Sequence, residues 1–122
     1  MKCTATFDEG YIPTGASAPV QLNTGFLRRL IHPDAPVKSE NVAVAILTMK
    51  PGDSVALHYH NEREEVYFIV SGEGVANHVE DRGKGKAEEI RYVKNLSIHI
   101  PQGTAHDIKV VGNEPLKILV IM

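Results

Sequence analysis

Short β-rich runs separated by Gly, Pro and Asn turns fill this chain from residue 42 onward, and no stretch carries sustained helical periodicity. Val42–Met49 is an uninterrupted run closed by Lys50-Pro51-Gly52-Asp53, and Glu65–Val70 ends at Gly72-Glu73-Gly74. Val75–Val79, Ile90–Val93, Leu96–Ile100 and Ala105–Val111 follow, and Asn113-Glu114-Pro115 turns the chain into Leu116–Met122. The chain thus reads as mostly short strands with turn punctuation, and the expectation is an all-β fold. The 122 residues suffice for one core and show no internal repeat, which points to a single domain over 25–122. Residues 1–24, with Pro13, Pro19 and little periodicity, read as an N-terminal arm. Gly25–Ile31 fits a short helical turn or a strand, and the charged segment 80–89 reads as a solvated hairpin tip.

Two histidines stand two apart in the run from Ser54 to His60. Strand alternation places His58 and His60 on one face with Ser54 and Ala56, and Val55, Leu57 and Tyr59 on the other. Imidazoles roughly 7 Å apart along a strand can converge on one ion. A carboxylate from the following turn or strand would complete the grip, and Glu62, Glu64 and Glu65 all qualify. Alternation does not choose between Glu64 and Glu65, because both faces of the next run are apolar. After Pro101-Gln102-Gly103-Thr104, the residues Ala105, Asp107 and Lys109 alternate with His106, Ile108 and Val110. The charged set goes to water, which sends His106 inward, where a buried imidazole needs a partner. Three histidines and a carboxylate are the donor set of a non-haem divalent-metal site. Tyr67 shares a face with Glu65 and offers a phenol as proton donor, or simply packs there. His99, between Ile98 and Ile100, reads as an exposed strand residue, and His78 and His32 as surface or loop residues. Arg28-Arg29 read as a solvated pair, with carboxylate binding at a barrel mouth as the alternative.

These residues resemble the two motifs of the cupin superfamily, G-x5-H-x-H-x(3,4)-E-x6-G and G-x5-P-x-G-x2-H-x3-N. The first matches in full as Gly52, His58, His60, Glu65 and Gly72, and its closing six-residue spacing selects Glu65 over Glu62 and Glu64. The second matches at Pro101, Gly103 and His106 and departs at Asn95, where Gly is usual, and at Val110, where Asn is usual. Asn tolerates a left-handed turn, and the Val110 departure removes no ligand. The resemblance implies a double-stranded β-helix, a jelly-roll-like antiparallel barrel. It also implies one divalent transition metal (Fe, Mn, Ni, Cu or Zn) held by His58, His60, Glu65 and His106.

The expected function is a metalloenzyme acting on a small oxygenated metabolite by isomerase, cyclase, lyase or dioxygenase chemistry. The rival is a non-catalytic module that binds or senses a small molecule. Met49 and Met122 are expected among the mostly aliphatic lining. N-terminal strands of small cupins commonly pack on a neighbouring subunit, and Val66–Val70 is apolar on both faces, so a homodimer is expected. A net charge of −2 with both signs interspersed argues against nucleic acid or an anionic membrane as partner. The single Cys3 excludes an intrachain disulfide, and the polar N-terminus does not read as a signal peptide, so a cytoplasmic protein is expected.

Overall fold

A computed structural model describes Thr4, residues 20–21, 26–35 and 37–122. The strands among these residues are β1 (Val20–Gln21), β2 (Phe26–Ile31), β3 (Val44–Met49), β4 (Ser54–His58) and β5 (Glu65–Ser71). They continue with β6 (Glu73–Val79), β7 (Ala87–Tyr92), β8 (Ser97–Ile100), β9 (Ala105–Val111) and β10 (Leu116–Ile121). One sheet runs β1-β2-β3-β10-β5-β8 and the other β4-β9-β6-β7, and every neighbouring pair is antiparallel. From β3 to β6 the chain changes sheet at each turn, and β7 to β10 do the same, so the sheets close over a shared interior. Of the expected N-terminal arm, only Thr4 and Val20–Gln21 fall within the described residues.

Burial follows the two-residue period. Glu65, Tyr67 and Ile69 of β5, Ile98 and Ile100 of β8, and Leu116, Ile118 and Val120 of β10 point inward from one sheet. Ala76, Ile108 and Val110 meet them from the other. The ambiguous Phe26–Ile31 stretch is a strand, because it completes hydrogen bonding along β3, with Arg28 opposite Ile46 and Arg29 opposite Ala45. Asn95 takes the left-handed conformation its place in the second motif calls for, with φ 73°.

Two readings from strand alternation need correction. Val55 lies opposite Ile108 and His58 opposite His106, so β4 takes three steps where β9 takes two. This β-bulge brings Val55 and His58 to the same inner face, whereas strict alternation separates them. His78 is not a surface or loop residue: it belongs to β6 and is 8% exposed. Gly74 and Ala76 precede it on the inward face, and both are small enough to let the wall close over an imidazole. The 80–89 segment is only partly a hairpin tip, since β7 begins at Ala87. Asp81 and Arg82 are left-handed there (φ 53° and 57°), and Arg82 N–H donates to the Gly103 carbonyl at 2.7 Å. Gly103 N–H in turn donates to the His60 carbonyl at 2.9 Å, so the turn braces both histidine motifs.

Candidate metal centre

The bulge in β4 and the pairing of β4 with β9 bring the histidines together. His58 and His106 are cross-strand partners with ring centroids 4.3 Å apart, and His60, just past β4, lies 5.3 Å from His58 and 5.8 Å from His106. One ring nitrogen from each lies within 4.8 Å of the other two. His106 is fully buried, and the other two face a cavity.

The backbone sets which nitrogen each ring presents. His58 Nδ1 lies 2.8 Å from the Ala56 carbonyl and His106 Nδ1 lies 3.2 Å from the Thr104 carbonyl. A carbonyl only accepts, so both Nδ1 atoms carry the proton and both Nε2 atoms keep their lone pairs. Burial is the main reason the His106 pKa falls to about 4, with the neighbouring His58 adding to it. His60 is also lowered, by burial first and then by Arg63 and His58. Neutral imidazoles are what a cation requires.

Glu65 opens β5 with its side chain inward, and Oε1 sits 3.0 Å from His60 Nε2 and 3.6 Å from His106 Nε2. Despite those distances Oε1 accepts no hydrogen bond, and it is buried. Burial raises the Glu65 pKa against the opposing pull of Arg63 and His58. A buried carboxylate oxygen left unsatisfied is costly, and a cation among the imidazoles would satisfy it. Glu62 and Glu64 are exposed, and Glu64 instead approaches His99 at 3.4 Å on the outside, so His99 is exposed as expected. The donor set therefore fits a divalent transition metal: three imidazoles, with the Nε2 lone pairs of His58 and His106 left unprotonated, and one buried carboxylate oxygen that accepts no hydrogen bond.

Tyr67 is buried, and its Oη lies 3.4 Å from His106 Nε2. Burial, with Glu65 and Tyr92 adding to it, pushes the phenol well above its usual pKa, so it stays a hydrogen donor. Behind His106 lies a pair that alternation alone did not single out: His78 Nε2 and the Tyr92 hydroxyl are 2.6 Å apart, and the His78 and His106 rings are 6.3 Å apart. Burial lowers the His78 pKa against Glu88 and Asp107, so its neutral imidazole accepts from the Tyr92 O–H. The sequence carried no signal for it, because Val75 and Val79 make the opposite parity the more apolar face.

A cavity of about 600 Å³ opens from this cluster. Leu27, Leu47, Val55, Ile108, Val120 and Met122 form its aliphatic wall, and His32, Arg29 and Arg63 line it too. Met122 is there as expected, whereas Met49 is packed in the core. The arginines are not a solvated pair. Arg29 lines the cavity, and Arg28, one residue earlier, faces the other way and is 7% exposed, with Nη1 lacking a hydrogen bond.

Residues 45–122, from β3 to the end of β10, match the family described as the Cupin domain. The chain belongs to the cupin family. It is 35% identical over 85 residues to auxin-binding protein 1 of Arabidopsis thaliana, covering 68% of this cupin and 42% of that protein. It is 33% identical over 81 residues to an oxalate-binding protein of Thermotoga maritima, covering 64% and 59% respectively. The cupin thus spans about half the length of these relatives. Among solved structures, oxalate decarboxylase of Bacillus subtilis superposes with a TM-score of 0.75 at 24% identity, covering 87% of this chain and 27% of that one. A DMSP lyase of Ruegeria pomeroyi superposes with a TM-score of 0.68 at 24% identity, covering 80% and 46%. At that identity the likeness is one of fold, and it is the antiparallel barrel the motifs implied.

Proposed function

We propose that this cupin is a metalloenzyme that acts on a small oxygenated metabolite. The substrate would chelate a divalent transition ion held by His58, His60, Glu65 and His106. The observation that carries this reading is the buried Glu65 Oε1, which accepts no hydrogen bond although it lies among imidazole nitrogens, with the tautomers of His58 and His106 set by the backbone. A bound divalent ion supplies Lewis-acid polarisation of a chelated oxygen, and redox chemistry as well if it is iron, copper or manganese. Three neutral imidazoles with one carboxylate leave that ion with a net positive charge, suited to an oxyanion. Tyr67 Oη, beside His106 and held protonated, can donate to an oxyanion that develops on the substrate. The aliphatic wall offers water few partners beside the site. Oxalate decarboxylase of Bacillus subtilis, described with Mn(II) centres, lends the metal reading support through the shared fold.

A second reading, a non-catalytic binding cupin, draws support from the oxalate-binding and auxin-binding relatives. Turnover that is lost in Tyr67→Phe while metal is retained favours the enzyme; unchanged ligand affinity with no turnover favours the binder. No helix among the described residues is long and apolar enough to cross a membrane. We further infer a homodimer formed through the outer face of the six-stranded sheet, where Val66, Phe68 and Val70 of β5 adjoin Leu119 and Ile121 of β10.

The deciding experiment is elemental analysis of tag-free protein purified without chelators, beside His106→Ala. About one equivalent of a transition metal, absent from the variant, is the expected result. No metal in the wild type after reconstitution overturns the proposal.

A further inference from the structure

We propose that the ligand of this cavity is an amphipathic organic carboxylate, with its charge near Arg63 and its carbon body along the aliphatic wall. A two-carbon dianion such as oxalate does not fit this description. The inference refines the metalloenzyme reading and rests on it for the oxygens nearest the histidines.

Size comes first. The cavity measures about 600 Å³, in the range that encloses drug-sized molecules, and oxalate would leave most of it empty. Aliphatic side chains, among them Leu27, Leu47, Val55, Ile108, Val120 and Met122, come from strands of both sheets and the chain end, so apolar surface faces the cavity from several sides. Such a surface gains little from a small dianion and favours a hydrocarbon body.

Charge comes second. Among the described lining residues Glu65 is the one acid, and Arg63 stands at the same opening. A metal ion beside Glu65 would leave the cavity strongly positive, a field that calls for an anion. Arg63 lies in the turn between His60 and Glu65, so the chain that carries two of the metal-site residues also holds its guanidinium over the same opening. It forms no ion pair with another described residue, and its fork suits a carboxylate. His32 adds a donor from the loop after β2. Its Nδ1 accepts from the Asp34 N–H at 3.1 Å, which leaves the proton on Nε2.

The test is calorimetric titration of the purified protein with 2-oxooctanoate, pyruvate, 2-octanone and oxalate, in wild type, Arg63→Gln and Arg63→Lys. Metal content is measured on every sample. We expect 2-oxooctanoate to bind about a hundredfold more tightly than pyruvate, because of its chain. It should also bind more tightly than oxalate, and Arg63→Gln should weaken it about tenfold with little effect on 2-octanone. Arg63→Lys should recover part of that loss. Arg63 is exposed in a turn, so the variants fold. Oxalate binding as tightly as 2-oxooctanoate, or an affinity unchanged in Arg63→Gln, overturns the inference while the metal content leaves the parent reading intact. A metal-free protein that still prefers 2-oxooctanoate through Arg63 overturns the metal reading and keeps this one.

Discussion

Gly72 closes the first histidine motif, and the structure gives a reason for glycine there that can be measured. Its φ is +79°, and a Cβ would stand 2.2 Å from the Pro115 carbonyl oxygen and 2.8 Å from Leu116 Cα. Both are backbone atoms, so no side chain can swing away. Leu116 is fully buried and opens β10, which sits between β3 and β5, so the strain passes into the core. Gly112 has nearly the same φ, +80°, with nothing within 4 Å of its Cβ position, and serves as the control. Gly112→Ala should cost only the left-handed penalty of about 1–2 kcal/mol. Gly72→Ala should add about 1–3 kcal/mol for overpacking against backbone, for a total of about 3 kcal/mol. The entropy that alanine removes from the unfolded chain is common to both and cancels in the comparison. Urea unfolding of both variants, at equal slope, reads the difference as a gap between midpoints. Midpoints that coincide would refute the argument, because backbone proximity would then contribute nothing beyond φ.

Replacing His60 or His106 with Ala should abolish stoichiometric metal in a folded protein, whereas Glu65→Gln should weaken binding less, since it keeps an oxygen and loses the charge. Elemental analysis with circular dichroism checks this, and full metal in both histidine variants would remove the site. In the metal-free protein, His106 is held at about 4, below its unfolded value of 6.5, chiefly by burial. The unfolded chain therefore takes up its proton first, and stability present above pH 6.5 is lost as pH falls toward 4, by up to about 3 kcal/mol. Glu65, raised by burial, acts in the opposite sense, so the isolating comparison is wild type against His106→Gln. Urea midpoints that fall equally in both between pH 7 and 4.5, ranges set by those pKa values, would contradict it. Phe68→Glu, on the outer face, should convert the proposed homodimer to a monomer with the metal retained; light scattering that gives a monomer for the wild type sinks the dimer.

Much of the site was legible because its information is local. The spacing of His58, His60 and Glu65, the Gly and Pro turns around them, and the inward parity of His106 all depend on neighbours in the chain. The choice of Glu65 was only half legible. Alternation left it level with Glu64 and a motif spacing selected it as the proposed ligand, and the structure separates the two by burial. β5 begins at Glu65 with Tyr67 and Ile69 inward, while Glu64 stays outside with His99.

The sequence by itself determined the fold class, the gathering of His58, His60 and His106 and the aliphatic character of the interior, because a two-residue period and turn chemistry act within a few residues. Tertiary structure alone decided the β4 bulge that puts Val55 and His58 on one face, the inward turn of His78 onto Tyr92, and the parting of Arg28 from Arg29. These depend on register and side-chain volume between strands distant in sequence. His78 meets Tyr92 only because β6 pairs with β7 along that edge, and Arg29 reaches the cavity only because β2 pairs with β3 there.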